Sequence, residues 1–287
     1  MSARPIEQAP AWWRSRLGLF LLLGLSALGA LALLDAPLRG LLPQAGGWRI
    51  VQDFFAAMWR PALEYESAVP EGTPSILAAS LAGARRTIVF AVAGMSLALV
   101  LGLVLGFLGS TAWWDEERAD ALRSGLRRSL WLAARALITA MRSVHELLWA
   151  VLFLAAFGLN SFGAVIAIAI PYGGTLAKIF SELLEEAPRD SARALAQLGA
   201  NPAQRFAFGL APRALPDMCA YAFYRFECAV RSSAVLGFFG FPTLGYSIAQ
   251  AFENLHYREV WTYLYALIAL VLLLELWSAS LRRRFVA

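Results

Sequence analysis

Charged side chains stand where this 287-residue chain is otherwise apolar. One apolar run holds Arg135, Arg142, His145 and Glu146, and a later one holds Arg225, Glu227 and Arg231. A charge at the centre of a bilayer costs about 2.5–3.5 kcal/mol on insertion scales, so such groups face a partner or a water-filled cavity. Arg142 and Glu146 are four residues apart, as are Glu227 and Arg231, and each pair can close on one helical face. Arg225 lies on a different face and is left without an acid partner on its own helix. A guanidinium without a local partner beside a cavity suits an anion, because its planar fork matches phosphate-type oxygens. The competing reading of these charges is structural: they pair between helices and fix packing, or snorkel to the interface. His145 also has the chemistry of a proton relay.

A second constellation is polar. Ser181–Pro216, the longest polar break in the apolar C-terminal half, reads as helix, stop, helix. Ala192, Ala194, Leu195, Ala196 and Leu198 favour a helix, and Gly199 stands where a left-handed residue ends one. Asn201 then caps a second helix, with Pro202 at its first position and Gln204 three residues after the cap. That short helix carries Phe206, Phe208 and Leu210. One or two turns with exposed phenylalanines do not fold alone, so the spacing predicts a partner surface. The alternative is a loop that folds back on its own domain.

The elements that position both constellations follow from hydropathy. The chain is 59% hydrophobic and only 16% charged, and its apolar runs are long enough to cross a bilayer. This predicts an all-α polytopic membrane bundle of about six helices, since open sheet edges cannot face lipid. The expected spans are Leu17–Leu34, Arg86–Leu108, Leu130–Phe157, Phe162–Phe180, Met218–Phe239 and Glu259–Ser280. Pro171, Gly173 and Gly174 are expected to kink the fourth. Asp35–Arg85 reads as an outer segment in which Val51–Tyr65 has helical apolar spacing, suited to the membrane surface or, more readily, to packing against the bundle. Gly240–Arg258 reads as an outer loop or re-entrant piece. Residues 1–16 form a polar tail, and 17–287 one transmembrane domain with 181–217 as its cytoplasmic loop. Arginines crowd the tail, Ser110–Ser129, the Gly199 loop and the C-terminus, with fewer between, so both termini are placed inside. The same rule explains the net charge of +5 without nucleic acid. The first apolar run is too long for a cleaved leader. Cys219 and Cys228 lie on opposite faces of one helix and cannot pair with each other.

The Gly199 loop resembles the conserved cytoplasmic loop of ABC importer permeases: Glu-Ala-Ala, three residues, Gly, nine residues, Ile, one residue, Leu-Pro. With Gly199 as the fixed glycine, Ala194 matches the first alanine and Pro212 falls at the closing proline, while Arg193 replaces glutamate and Ala211 replaces leucine. Arg142–Leu159 is similar to the third-span segment of phosphonate-type permeases, Arg-x-x-Pro-Glu-x-x-Trp-Ala, in Arg142, Glu146, Trp149 and Ala150, with His145 at the proline. Tyr221–Gly240 is similar to their Tyr-Arg-Phe-Glu…Arg-Ser…Leu-Gly segment in Tyr224, Arg225, Phe226, Glu227, Arg231, Ser232, Leu236, Gly237 and Gly240. The resemblance runs from about residue 81 to the C-terminus, and the family's Gly-Gly-Ile-Gly element is altered to Pro242-Thr243-Leu244-Gly245.

What the resemblance implies is a type I ABC importer permease of a bacterial inner membrane. It would work with ABC ATPase subunits that carry ATP and Mg, an external substrate-binding protein, and a second permease, identical or homologous. The cargo would be a small phosphorus oxyanion: phosphonate, phosphite or hypophosphite. Arg193, Ala194, Gly199, Ala200, Asn201, Pro202, Gln204, Phe206, Phe208 and Pro212 would couple to the ATPase. Arg142, His145, Glu146, Arg225, Glu227 and Arg231 are candidates for the substrate path. The chain has no G-x-x-x-x-G-K-[ST] loop, zinc pattern or nucleophile elbow, so no catalytic residue, metal or cofactor of its own is expected. The alternative is a secondary transporter driven by an ion gradient through Glu146, His145 or Glu227, although no inverted repeat is visible. A non-transporting membrane assembly subunit is the third.

Overall fold

Every regular element among the described residues is helical in the computed structural model, which describes residues 16–34, 46–114 and 121–286. Residues 1–15 of the expected tail and residues 115–120 of the expected Ser110–Ser129 turn lie outside them. The chain forms two compact units, Met1–Ala56 and Ala57–Ala287. The first contains α1 (Arg16–Leu33) and most of α2 (Gly47–Ala57). The 18 residues of α1 span about 27 Å at 1.5 Å per residue, the short end of what crosses a bilayer. Along α2, Trp48, Ile50, Val51 and Phe55 are exposed.

The second unit is built on one helix pair, α3 (Ile76–Gly109) and α7 (Ser161–Glu186). Between helices in lipid there is little hydrophobic drive, so association depends on close packing of small residues. Gly94, Ala98, Gly102 and Gly106 recur every four residues on α3 and all are buried. A Cβ on Gly94 would lie 2.9 Å from Ile168 Cγ2, on Gly102 2.6 Å from Leu176 Cβ, and on Gly106 3.0 Å from Phe180 Cβ. Ile168, Tyr172, Leu176 and Phe180 repeat at the same spacing on α7 and are almost wholly buried. In return, Gly173 of α7 meets Leu101, and Gly174 meets Met141 and Arg142. The helix α7 runs unbroken through Pro171, Gly173 and Gly174, which all lie inside its buried face.

The short α4 (Thr111–Trp114) follows α3, and around the pair stand α5 (Ala121–Ser143), α6 (Glu146–Phe157), α10 (Ala211–Val235), α11 (Leu244–Glu253) and α12 (Tyr257–Val286). Thr87 ties α3 to two of them: its Oγ1 accepts from Leu244 N at 3.1 Å, and its carbonyl accepts from Ser233 Oγ at 2.8 Å. A 3-10 turn, Leu236–Phe239, joins α10 to α11, and a Cβ on Gly237 would overlap the backbone of Tyr246. At the start of α12, Thr262 Oγ1 donates to Ala62 O (2.7 Å), Tyr265 OH to Met58 O (2.9 Å), and the nearly buried Glu259 accepts from Glu66 N (2.7 Å). These bonds fix the segment that precedes α3 against the start of α12.

The helices Ile76–Gly109, Ser161–Glu186 and Tyr257–Leu281 are each long and apolar enough to cross a membrane; two bent pairs, Gly125–Ser143 with Glu146–Phe157 and Arg205–Phe239 with Leu244–Glu253, qualify as broken spans. Three expectations change. First, α3 starts at Ile76, ten residues before the expected span, because Ser75 caps it (Ala78 N to Oγ, 3.3 Å) and no breaker follows. Second, Leu130–Phe157 is not one helix: it turns by 88° between Ser143 and Glu146. His145 is extended there, at φ −66° and ψ 146°, and its Nδ1 accepts from Leu147 N as the cap of α6. Third, the expected short helix after Asn201 does not stop. Residues Pro202–Gln204 (α9), a π-helical turn Arg205–Leu210, and α10 follow without a break, so the loop feeds directly into the fifth span.

Candidate functional site

The two charged runs meet at the α5–α6 corner. Tyr172, on the buried ridge of α7, presents its hydroxyl to Ser232 Oγ of α10 at 2.8 Å. Ser232 Oγ in turn lies 2.9 Å from Glu146 Oε1, at the first residue of α6. The guanidinium of Arg225 sits over the Tyr172 ring, with Cζ 4.7 Å from its centre, a cation–π contact. Its Nε is buried and has no hydrogen-bond partner among the described residues. Such an orphaned donor is costly unless something else fills it. His145 Nε2 lies 3.5 Å from Glu146 Oε2, and its ring is mostly exposed.

The expected pair Arg142–Glu146 is absent from this arrangement. The 88° corner removes the shared helical face, and Glu146 turns to Ser232. Arg142 is exposed at the end of α5. Arg231 is exposed and donates to Cys228 Sγ at 3.5 Å, whereas Glu227 is half-buried on α10. The structure therefore gathers Arg225, Glu146 and His145 around Tyr172 and Ser232, with Arg142 and Arg231 on nearby exposed surface of the elements that carry them.

The Gly199 loop is built as its spacing requires. Its first helix is α8 (Asp190–Gln197). Gly199 takes φ +81°, and the chain reverses through Gly199 N to Ala196 O and Ala200 N to Leu195 O, both 3.0 Å. Asn201 and Gln204 close a reciprocal capping box, each side chain accepting from the other's backbone N at 2.9 Å. Gly209 then packs on the α8 backbone, where a Cβ would come 2.8 Å from Ala192 Cα, and Arg213 Nη2 donates to Ser191 Oγ at 3.0 Å. The two arms thus form one unit. Arg193 pairs loosely with Asp190 (3.7 Å) in solvent, and Ala194 and Pro212 are exposed.

The phenylalanines divide. Phe208 is 73% exposed and Leu198 83% exposed. Phe206 is not on that face: its ring meets Phe107 of α3 edge-on, centroids 5.1 Å apart. Beside this contact a charged knot holds the foot of the bundle. Arg135 donates to Glu185 Oε1 (2.9 Å) and to Gly109 O (2.8 Å), Trp131 Nε1 also reaches Gly109 O (3.0 Å), and Thr111 N donates to Glu185 (2.8 Å).

The model of the family described as binding-protein-dependent transport system inner membrane component matches residues 121–287, more than half of the chain. The chain belongs to that family. It is 31% identical over 202 residues to the phosphite transport system permease protein PtxC of Stutzerimonas stutzeri, covering 69% of this chain and 68% of that one. It is 28% identical over 197 residues to the phosphate-import permease protein PhnE of Mycolicibacterium smegmatis, covering 69% of this chain and 35% of that one. In fold it is similar to an inward-facing MetNI methionine ABC transporter chain (TM-score 0.62, 21% identity, 76% of this chain and 99% of that one). A second likeness is to an amino acid ABC transporter (TM-score 0.59, 18% identity, 72% and 94% covered). The fold is therefore that of type I ABC importer permeases. The membership sets aside the secondary transporter weighed from the buried charges: this chain is the inner-membrane permease component of a binding-protein-dependent system.

Sequence reasoning noted the charge of Arg135 but gave it no partner, and it did not single out Tyr172, Trp131 or Glu185. A lone tyrosine in an apolar helix carries no spacing signal, and Arg135 and Glu185 are fifty residues apart. Ser232 stood in the matched segment but was not among the path candidates.

Proposed function

We propose that this permease imports small phosphorus oxyanions of the phosphonate, phosphite or hypophosphite type. Separate ABC ATPases, holding ATP and Mg, drive it; an external binding protein loads it; and a second permease, identical or homologous, completes the path. Arg225 carries the substrate reading. It is a cation at span depth, fixed over Tyr172, with a buried donor that no described residue fills. An oxyanion crossing hydrocarbon needs such compensating charge. The names of the phosphite and phosphate relatives support the same cargo.

Coupling runs through the Gly199 loop, from Arg193 to Pro212. Leu198 and Phe208 offer apolar side chains on a capped, self-packed turn, suited to a groove on an ATPase. Because α9, the π turn and α10 are continuous, a push on Phe208 reaches Arg225 along a single helix. Phe206 is the inner anchor of that lever, through Phe107. In this reading the loop, 181–217, and both termini are cytoplasmic, with 17–287 forming the transmembrane domain.

The test is ATP hydrolysis by the permease–ATPase complex in lipid nanodiscs, with binding protein and each candidate anion. A phosphorus oxyanion is expected to stimulate hydrolysis. Leu198→Ala with Phe208→Ala should remove that stimulation while leaving the melting temperature of the permease unchanged. Uptake that persists without any ATPase would overturn the reading.

A further inference from the structure

The Arg225 site also contains a fixed acceptor. Glu146 is held by Ser232 through Oε1, and Ser232 is held by Tyr172, the same ring that carries Arg225. Cation and carboxylate therefore stand at the two ends of one partly buried chain of contacts. The other oxygen, Oε2, lies 3.5 Å from His145 Nε2, and the Glu146 side chain is about a quarter exposed. An ionised carboxylate only accepts hydrogen bonds. A fully ionised oxyanion lying against both groups would meet Arg225 favourably and Glu146 unfavourably, with like charges in a medium of low dielectric. An oxyanion that keeps one O–H satisfies both: its ionised oxygens take the Arg225 donors and its hydroxyl donates to Glu146.

We propose that Arg225 and Glu146 together form a site selective for the singly protonated form of a phosphorus oxyanion. This rests on the import of such anions proposed above and narrows it. Phosphite and phosphonates retain a hydroxyl after the first ionisation. Hypophosphite, with a single ionisable hydroxyl, does not, and is the poorer fit.

Phosphorus oxyacids of the monoester type lose their last proton at about pH 6, so the acceptable form drains away as pH rises from there. His145 on its own helix lies against Glu146 Oε2 and Ser232 of α10 against Oε1, while Glu146 shares the surroundings of Tyr172 with Arg225 and Cys228 of α10. Only histidine ordinarily titrates in this window, so it needs its own control.

The experiment is initial-rate uptake of labelled phosphite by the assembled transporter in proteoliposomes, from about pH 6 to about pH 8. The same binding protein is used throughout, so any change in profile belongs to this chain. Uptake by the wild type should fall as pH rises. Glu146→Gln, whose amide can donate as well as accept, should raise the ratio of high-pH to low-pH uptake by at least about threefold. Glu146→Asp should restore the wild-type slope, and His145→Asn, which keeps a capping side chain, should preserve it. A parallel loss at every pH in Glu146→Gln, or a flat profile in His145→Asn, would overturn the proton-selective site while leaving the importer reading intact. If the wild type moves no phosphorus oxyanion at all, the substrate reading itself fails.

Discussion

In the proposed path one guanidinium, that of Arg225, has two duties. It stacks on Tyr172, and it leaves a buried Nε for an anion. Arg225→Lys keeps the charge but loses the planar stack and fork, so uptake should drop at least about tenfold with the complex still assembled. Initial-rate uptake alongside co-purification of the ATPase measures both. The wild-type rate in Arg225→Ala would remove this residue from the path. Gly199 gives a second, purely conformational prediction. At φ +81° an alanine is strained, so Gly199→Ala should destabilise the loop by about 1 kcal/mol, whereas Gly199→Asn should be nearly neutral. Proteolysis rates within the loop would report the difference. Gly199, Asn201 and Gln204 were legible because caps and left-handed positions are written in neighbouring residues. The Arg142–Glu146 pair was misread for the converse reason. Its i, i+4 spacing assumes a continuous helix, and the corner at His145 is made by a side-chain cap that hydropathy does not register.

Among the elements, α3 and α7 decide how accurately Tyr172 is placed. Their contact is a row of Gly94, Ala98, Gly102 and Gly106 against Ile168, Tyr172, Leu176 and Phe180. The four-residue repeat was present in the sequence, and small-xxx-small spacing is a recognised packing signal; read as mere apolar length, it yielded a span but no partner. Gly102→Val would drive two methyls into Leu176, whose Cβ already stands 2.6 Å from the position of a Cβ. The expected cost is about 1–3 kcal/mol. A lower melting temperature in detergent, with phosphite uptake reduced because Tyr172 and Arg225 shift together, would be its signature. An unchanged melting temperature would show that the two helices do not pack through this row. The foot of the same pair is held by Arg135 and Glu185. Because both side chains are about a quarter exposed, Glu185→Ala should cost less, about 1–2 kcal/mol. Phe206 belongs to this level too. It was expected to be exposed like Phe208, but residues two apart lie on nearly opposite faces of a helical turn, so with Phe208 outward Phe206 turns inward to Phe107.

For the molecule as a whole, the fold class and the general order of spans were legible, since length and apolarity dominate them. The bends were not, because each depends on a nonlocal hydrogen bond or a cap. The coupling reading requires Leu198 and Phe208 on the ATPase side of the membrane and the segment before α3 on the other. Arginine bias favours this orientation, and the structure supplies accessible reporters for both ends: Phe208 at 73% and Trp59 at 82% exposure. Cys219 and Cys228 are unpaired thiols, so both would first be replaced by serine. In sealed, right-side-out vesicles an impermeant maleimide should then label Trp59→Cys readily. Phe208→Cys should react only after the vesicles are opened, and addition of the ATPase subunits should protect it. Protection matters more than labelling. A loop that simply folds back on its own domain would also be reached from inside, but no ATPase would cover it. Labelling of Phe208→Cys in sealed vesicles would invert the topology, and with it the assignment of the capped turn as the point where ATP hydrolysis moves the helix that carries Arg225.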